Sequence, residues 1–110
     1  MTKLVDRRAT PRFQPKQGNH VIYGVTSAVI RDLSLEGVFV LDPDPLPVGS
    51  ELEFTLQAEG QEILLGGVVC RTLDQEGMGI HFTNVSAVSK RRLRIYIASL
   101  VPTPSQLVRT

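Results

Sequence analysis

The chain has 110 residues, of which 42% are hydrophobic and 21% charged, with a formal net charge of +1. This is ordinary globular usage for a single domain with one modest core, and it excludes a wholly disordered chain. No apolar run approaches the ~20 residues of a membrane-spanning helix. The opening segment carries charge with no apolar stretch behind it, so it does not read as a secretory leader. The lone Cys70 can close no internal disulfide, and no metal-ligand spacing is present, so a cytoplasmic protein without metal or cofactor is expected.

In chain order, residues 1–18 carry Pro11, Pro15 and Gly18 without a sustained period, which predicts an irregular, flexible N-terminal arm. Residues 20–23 and 26–33 are rich in β-branched and aromatic side chains, with Gly24 as a turn or bulge between two strands. Val29 alternates with its neighbours as one buried face would, although Ala28-Val29-Ile30 is too short to set the register. Residues 37–41 form a third strand, stopped by Asp42-Pro43-Asp44-Pro45-Leu46-Pro47, whose prolines cannot donate to a ladder. Residues 51–57 alternate with period two and place Leu52, Phe54 and Leu56 on the buried side. A fifth strand covers 63–72, with a sharp bend at Gly66-Gly67, and a turn at 74–77 leads into a sixth at 78–82.

After Asn84 the period changes. Ser86 or Asn84 can cap a helix whose apolar stripe is Val88, Leu93, Tyr96, Ile97 and Leu100, ended by Pro102 and Pro104. Five or six short strands followed by one helix predict a small antiparallel barrel or sandwich with a helical plug. The divisions are an arm at 1–18, the folded unit at 19–101 and a tail at 102–110.

Charge is distributed unevenly. Residues 1–16 hold five cations against Asp6 alone, residues 32–62 hold eight acids and no cation, and Lys90, Arg91, Arg92 and Arg94 follow within five positions. A polyanion binder would be basic along a whole face. A short basic arm beside an acidic body suits a small anionic ligand or a clasp onto the chain itself. The basic run at 90–94 reads as a solvated helix face.

Catalytic signatures are missing. His20 opens a strand and His81 sits between Ile80 and Phe82, where a solvent-facing strand residue is expected rather than a general base. Cys70 ends the run Val68-Val69-Cys70 and reads as a small buried hydrophobe. A nucleophile elbow, a zinc-protease helix motif and a Walker loop are all lacking. The chain therefore reads as non-enzymatic.

Two short motifs flank the first strands. Arg7-Arg8-Ala9-Thr10-Pro11-Arg12 has the form R-R-x-x-x-R, and Asp32-Leu33-Ser34-Leu35-Glu36-Gly37 has the form D-x-S-x-x-G. The second arises by chance only about 0.03 times in a chain of this composition. Read from the residues alone, Asp32, Ser34 and Gly37 could form an Asx or Ser turn, and the arginines could pair with the acidic body.

Together the motifs resemble those of the PilZ domain family, bacterial receptors for the second messenger cyclic di-GMP. Phe13-Gln14-Pro15, Gly37-Val38-Phe39-Val40 and Gly77-Met78-Gly79-Ile80-His81-Phe82 look like further family landmarks, so the resemblance runs over about residues 7–100. It implies a mostly β fold, a six-stranded antiparallel barrel with a C-terminal α-helix. It implies that Arg8 and Arg12, with Arg7 as an extra arginine, bind ligand phosphate and guanine. The planar guanidinium fork suits both groups, and lysine would match neither. Asp32 would accept from guanine N1–H and N2–H, and Ser34 would bond base or phosphate. Gly37 would permit a positive φ or close approach of the ligand, and Met78 would lie near a base.

The resemblance further implies an arm that orders when ligand binds, signalling to a downstream protein in motility, biofilm or exopolysaccharide control. The paired Arg7 and Arg8 suit two stacked ligand molecules. Two rivals differ in class. One is a PilZ-like protein–protein interaction module that binds no nucleotide, which loss of the motif residues would mark. The other is a single-strand nucleic-acid barrel, which needs exposed aromatic platforms; with no tryptophan and 5% aromatics, DNA and RNA are not expected partners, nor is membrane insertion.

Overall fold

The computed structural model describes residues 12–15 and 18–100. Six strands, β1 (His20–Tyr23), β2 (Thr26–Leu33), β3 (Gly37–Leu41), β4 (Glu51–Ala58), β5 (Gln61–Leu73) and β6 (Gly77–Asn84), precede one helix, α1 (Ala87–Leu100). The strands close into an antiparallel barrel in the order β1-β2-β3-β6-β5-β4. The predicted barrel is thus the observed one, and closure leaves no sheet edge unpaired around the ring.

The strand pattern dictates the interior. Leu56 (0% exposed) and Phe54 (3%) of β4 face inward, with Ile63 and Leu65 opposite them on β5. On β2, Ala28 and Ile30 take the buried face and Val29 is turned outward, 59% exposed, beside Leu41 of β3. Met78 is fully buried in the core. The helix caps the barrel with Leu93, Tyr96 and Ile97. Ser86 Oγ accepts from the Ser89 amide at 3.1 Å, which satisfies an otherwise orphaned donor at the helix start. The stripe differs from expectation at one position: Val88 is 55% exposed, and Ser89 occupies the buried side of the first turn. The expected helix stop at Pro102 and Pro104 lies outside the described residues.

Strand pairing departs from a regular ladder at three places. β2 shifts register between Ile30 and Asp32, and β5 shifts between Val69 and Arg71 and again at Gly66/Gly67. The Gly66-Gly67 pair falls inside one continuous 13-residue strand, at a register shift where Gly66 pairs with Asn84 and Gly67 with Phe82. Of the N-terminal arm, residues 12–15 are described, and they are anchored. Phe13 pairs with Leu33 through two backbone hydrogen bonds of 2.7 and 2.9 Å.

Candidate functional site

The shifts in β2 and β5 build the site. Each is a β-bulge, in which two residues of one strand oppose a single residue of its neighbour. On β2, Ile30 pairs with Val40 and Asp32 with Phe39, so Arg31 is the extra residue. On β5, Val69 pairs with Ile80 and Arg71 with Gly79, so Cys70 is the extra residue. A regular strand would alternate faces at these points. The bulges instead place Arg31 with Asp32, and Cys70 with Arg71, as consecutive pairs on the outer face. Between them run β3 and β6, with Phe39 facing Gly79.

The result is an open cleft of about 450 Å³ whose lining includes Arg12, Arg31, Asp32, Arg71 and His81. Phe39 forms its floor. The ring points away from the barrel core yet is only 2% exposed, because the Arg31 guanidinium lies 3.8 Å and that of Arg71 5.3 Å from its centroid. Gly79 leaves room for this arrangement; a Cβ there would stand 3.3 Å from Arg71 Cγ and 3.6 Å from the ring.

Asp32 is held from both sides. Arg12 Nε donates to Oδ1 at 2.5 Å and Arg31 Nε to Oδ2 at 2.8 Å. Partial burial by itself would raise the Asp32 carboxyl pKa, but the hydrogen bonds and charges of the two arginines outweigh it and hold the group below its ordinary value. Arg71 has no ion-pair partner among the described residues, so its charge faces the cleft uncompensated.

Ser34 is fully buried at the cleft base. Its Oγ accepts from the amides of Glu36 (3.1 Å) and Gly37 (3.2 Å), and Arg12 Nη1 lies 3.4 Å away. The Ser34 amide donates to Gly37 O at 2.8 Å, so the D-x-S-x-x-G segment is a tight turn that presents Asp32. Of the sequence-predicted residues, Arg12, Asp32, Ser34 and Gly37 meet here; Arg7 and Arg8 lie outside the described residues.

Three expectations need correction. Gly37 does not have positive φ. Its lack of a Cβ serves the β3–β6 pairing, since a Cβ would sit 2.5 Å from the Ile80 carbonyl oxygen. Met78 does not line the cleft; it packs inside the barrel, where its sulfur accepts from the Leu46 amide at 3.4 Å. Cys70 is exposed rather than buried, with Sγ directed to Gly79 O at 3.4 Å, because it follows Val69, whose side chain points into the barrel. Arg31 and Arg71 were missed as site residues. Their only sequence signal is position: Arg31 directly precedes the D-x-S-x-x-G motif, and Arg71 sits across the hairpin from Gly79.

The PilZ domain family model matches residues 6–99, and the chain belongs to that family. Among solved structures it is similar to the uncharacterized Legionella protein Lpg0364, with TM-score 0.61 and 20% identity, covering 82% of this chain and 92% of that one. It is also similar to the Bacillus subtilis inhibitor of motility MotI/DgrA, with TM-score 0.66 and 18% identity over 84% of this chain. The third is Borreliella burgdorferi PlzA, solved in complex with c-di-GMP, with TM-score 0.54 and 16% identity over 86% of this chain. The chain spans 50% of the MotI/DgrA chain and 45% of the PlzA chain. No curated protein sequence matches it. No helix among the described residues is long and apolar enough to cross a membrane.

Proposed function

We propose that this chain is a non-enzymatic receptor for cyclic di-GMP. The observation that carries the reading is the convergence of Arg12 with Asp32 and Ser34, residues from two separate motifs, in one arginine-rich cleft. The ligand has two phosphates and two guanines. Guanidinium groups donate bidentately to phosphate oxygens and to the O6/N7 edge of guanine. A carboxylate kept ionised by flanking arginines is a permanent acceptor for guanine N1–H and N2–H. The Arg31 and Arg71 planes over Phe39 offer a flat cationic surface on which a base can stack.

Binding proceeds in this reading by exchange. Arg12 occupies Asp32 Oδ1 in the free protein, and ligand competes for the same carboxylate while Arg7, Arg8 and Arg12 move to its phosphates. The segment before Phe13 is thereby redrawn against the barrel, and this change is the signal passed to a downstream protein. The two adjacent arginines of the motif supply donors for two stacked ligand molecules. PlzA's complex with c-di-GMP supports the ligand class, and the MotI/DgrA likeness supports motility as one output.

Isothermal titration with cyclic di-GMP, with GTP and cyclic di-AMP as controls, tests this on wild type and on Arg8→Ala and Arg12→Ala. Saturable, selective binding lost in both variants is expected, and the molar ratio gives one ligand or two. No heat at high micromolar ligand, checked by a second method, overturns the receptor reading and leaves a protein-only interaction module.

A further inference from the structure

Helix α1 contains Lys90, Arg91, Arg92 and Arg94 and no acidic residue. Three of these cations, Lys90, Arg91 and Arg94, are exposed and form no ion pair among the described residues. At 100° per residue, Val88, Arg91 and Ile95 share the outward side, opposite the Leu93–Tyr96–Ile97 stripe that enters the barrel. Val88 is 55% and Ile95 64% exposed, so the helix presents two apolar side chains framed by cations.

The outer face of β4 and β5 has the reverse character. Glu51, Glu53 and Glu62 are exposed there, around Leu64, which is 66% exposed. Glu53 pairs with Gly66 and Glu51 with Val68, so no cation stands opposite either carboxylate. Gly66, without a side chain, leaves a groove of about 520 Å³ bordered by Glu51, Glu53 and Asn84. The two faces adjoin in one molecule, since Arg92 Nη1 reaches the Glu62 carbonyl at 3.2 Å.

We propose that the outward face of α1 docks on the β4–β5 face of a second copy of this chain. Opposite charges meet around two small apolar centres, Val88 and Ile95 against Leu64. Because the faces adjoin at Arg92 and Glu62, a two-fold axis near that corner lets each copy give its helix and receive the other's, an isologous interface. The helix is about 21 Å long, so the shared area falls at the low end for specific pairs and the dimer is a weak, salt-sensitive one. Only two large apolar side chains of the helix, Val88 and Ile95, are exposed, too few for the buried apolar face by which interfacial helices hold to lipid. This inference is independent of the nucleotide reading, because none of these residues contacts the arginines of the cleft.

Sedimentation equilibrium at high micromolar protein tests it in low salt and in about 0.5 M salt, where charge screening shortens to a few ångströms. Wild type is expected to dimerise in low salt and dissociate in high salt. Arg91→Glu/Arg94→Glu and Glu51→Arg/Glu53→Arg are each expected to be monomeric, with circular dichroism showing the folded barrel. Their equimolar mixture is expected to dimerise again, because every helix then faces a sheet of opposite charge. A wild type monomeric throughout, or a mixture that stays monomeric, overturns the proposal. So does binding of the monomer to phosphatidylcholine vesicles carrying phosphatidylglycerol without self-association.

Discussion

Replacing Gly37 with alanine separates two reasons for a glycine at the end of the D-x-S-x-x-G motif. The new Cβ would lie 2.5 Å from the Ile80 carbonyl oxygen and 3.5 Å from His81 Cα. Ordinary carbon–oxygen approach is about 3.3–3.6 Å, so β6 must withdraw by about 1 Å from β3. Both partners are backbone in a closed ring, and neither can rotate away. Overpacking of this kind costs about 1–3 kcal/mol. The smaller entropy of the unfolded alanine chain returns about 0.5–1 kcal/mol, so strain wins. At about 4–8 °C per kcal/mol for a domain of this size, the melting temperature should fall by about 5–15 °C. Thermal denaturation followed by circular dichroism reads this directly, and titration with cyclic di-GMP well below the melting point reads the site. The expected result is a destabilised protein that retains ligand affinity within about tenfold, a loss of at most about 1.4 kcal/mol in binding. A variant that melts like wild type and fails to bind would refute the backbone argument and return Gly37 to the ligand.

Other substitutions probe the arginines and the carboxylate. Arg31→Lys keeps the charge but loses the guanidinium contact with Phe39 and the Nε bond to Asp32; melting should fall by about 4–8 °C, the scale of a cation–π contact plus an exposed ion pair, and binding should weaken by about tenfold for want of the planar fork. Equal affinity by titration would remove Arg31 from the site. Because the folded Asp32 pKa is depressed, its contribution to stability is complete above the unfolded value and is lost as pH falls through the folded one. Wild type should therefore lose more stability than Asp32→Asn between about pH 5 and about pH 2 in urea unfolding, and parallel losses would count against the clasp. Cys70 should react with an aromatic disulfide reagent in the native protein, and saturating cyclic di-GMP should slow the reaction. Unchanged protection would place the ligand away from β5.

The barrel is legible in the sequence because its signals are local. Glu51-Leu52-Glu53-Phe54-Thr55-Leu56 alternates cleanly, the proline run after Leu41 has no place in a central strand, and the change of period after Asn84 marks the helix. Asp32, Ser34 and Gly37 are legible because their spacing is fixed within one turn. What escapes is parity. The apolar run Val68-Val69-Cys70 suggested burial for Cys70, whereas alternation from the inward Val69 turns it out; the same alternation sends Arg71 inward, and the bulge turns it out as well. On β2 the bulge does the same for Asp32, which alternation from the inward Ile30 would bury and which instead stands beside Arg31 on the outer face. Val88 for Ser89 is a smaller error, where apolar character suggested burial but the angle of the first helical turn decided it.

The two bulges also separate what holds the barrel together from what shapes the cleft. Deleting Arg31 would leave Ile30 opposite Val40, Asp32 opposite Phe39 and Leu33 opposite Val38, so every core residue would keep its side. Deleting Cys70 would do the same on β5. The register of the core is thus indifferent to these two positions, while the cleft depends on Arg31 for half of its carboxylate clasp and for one of the two cations over Phe39. A barrel of this topology can lose part of its cleft in a single step while every core side chain keeps its place. An extra residue in β2 is therefore a feature of the cleft that superposition of the barrel core alone does not register.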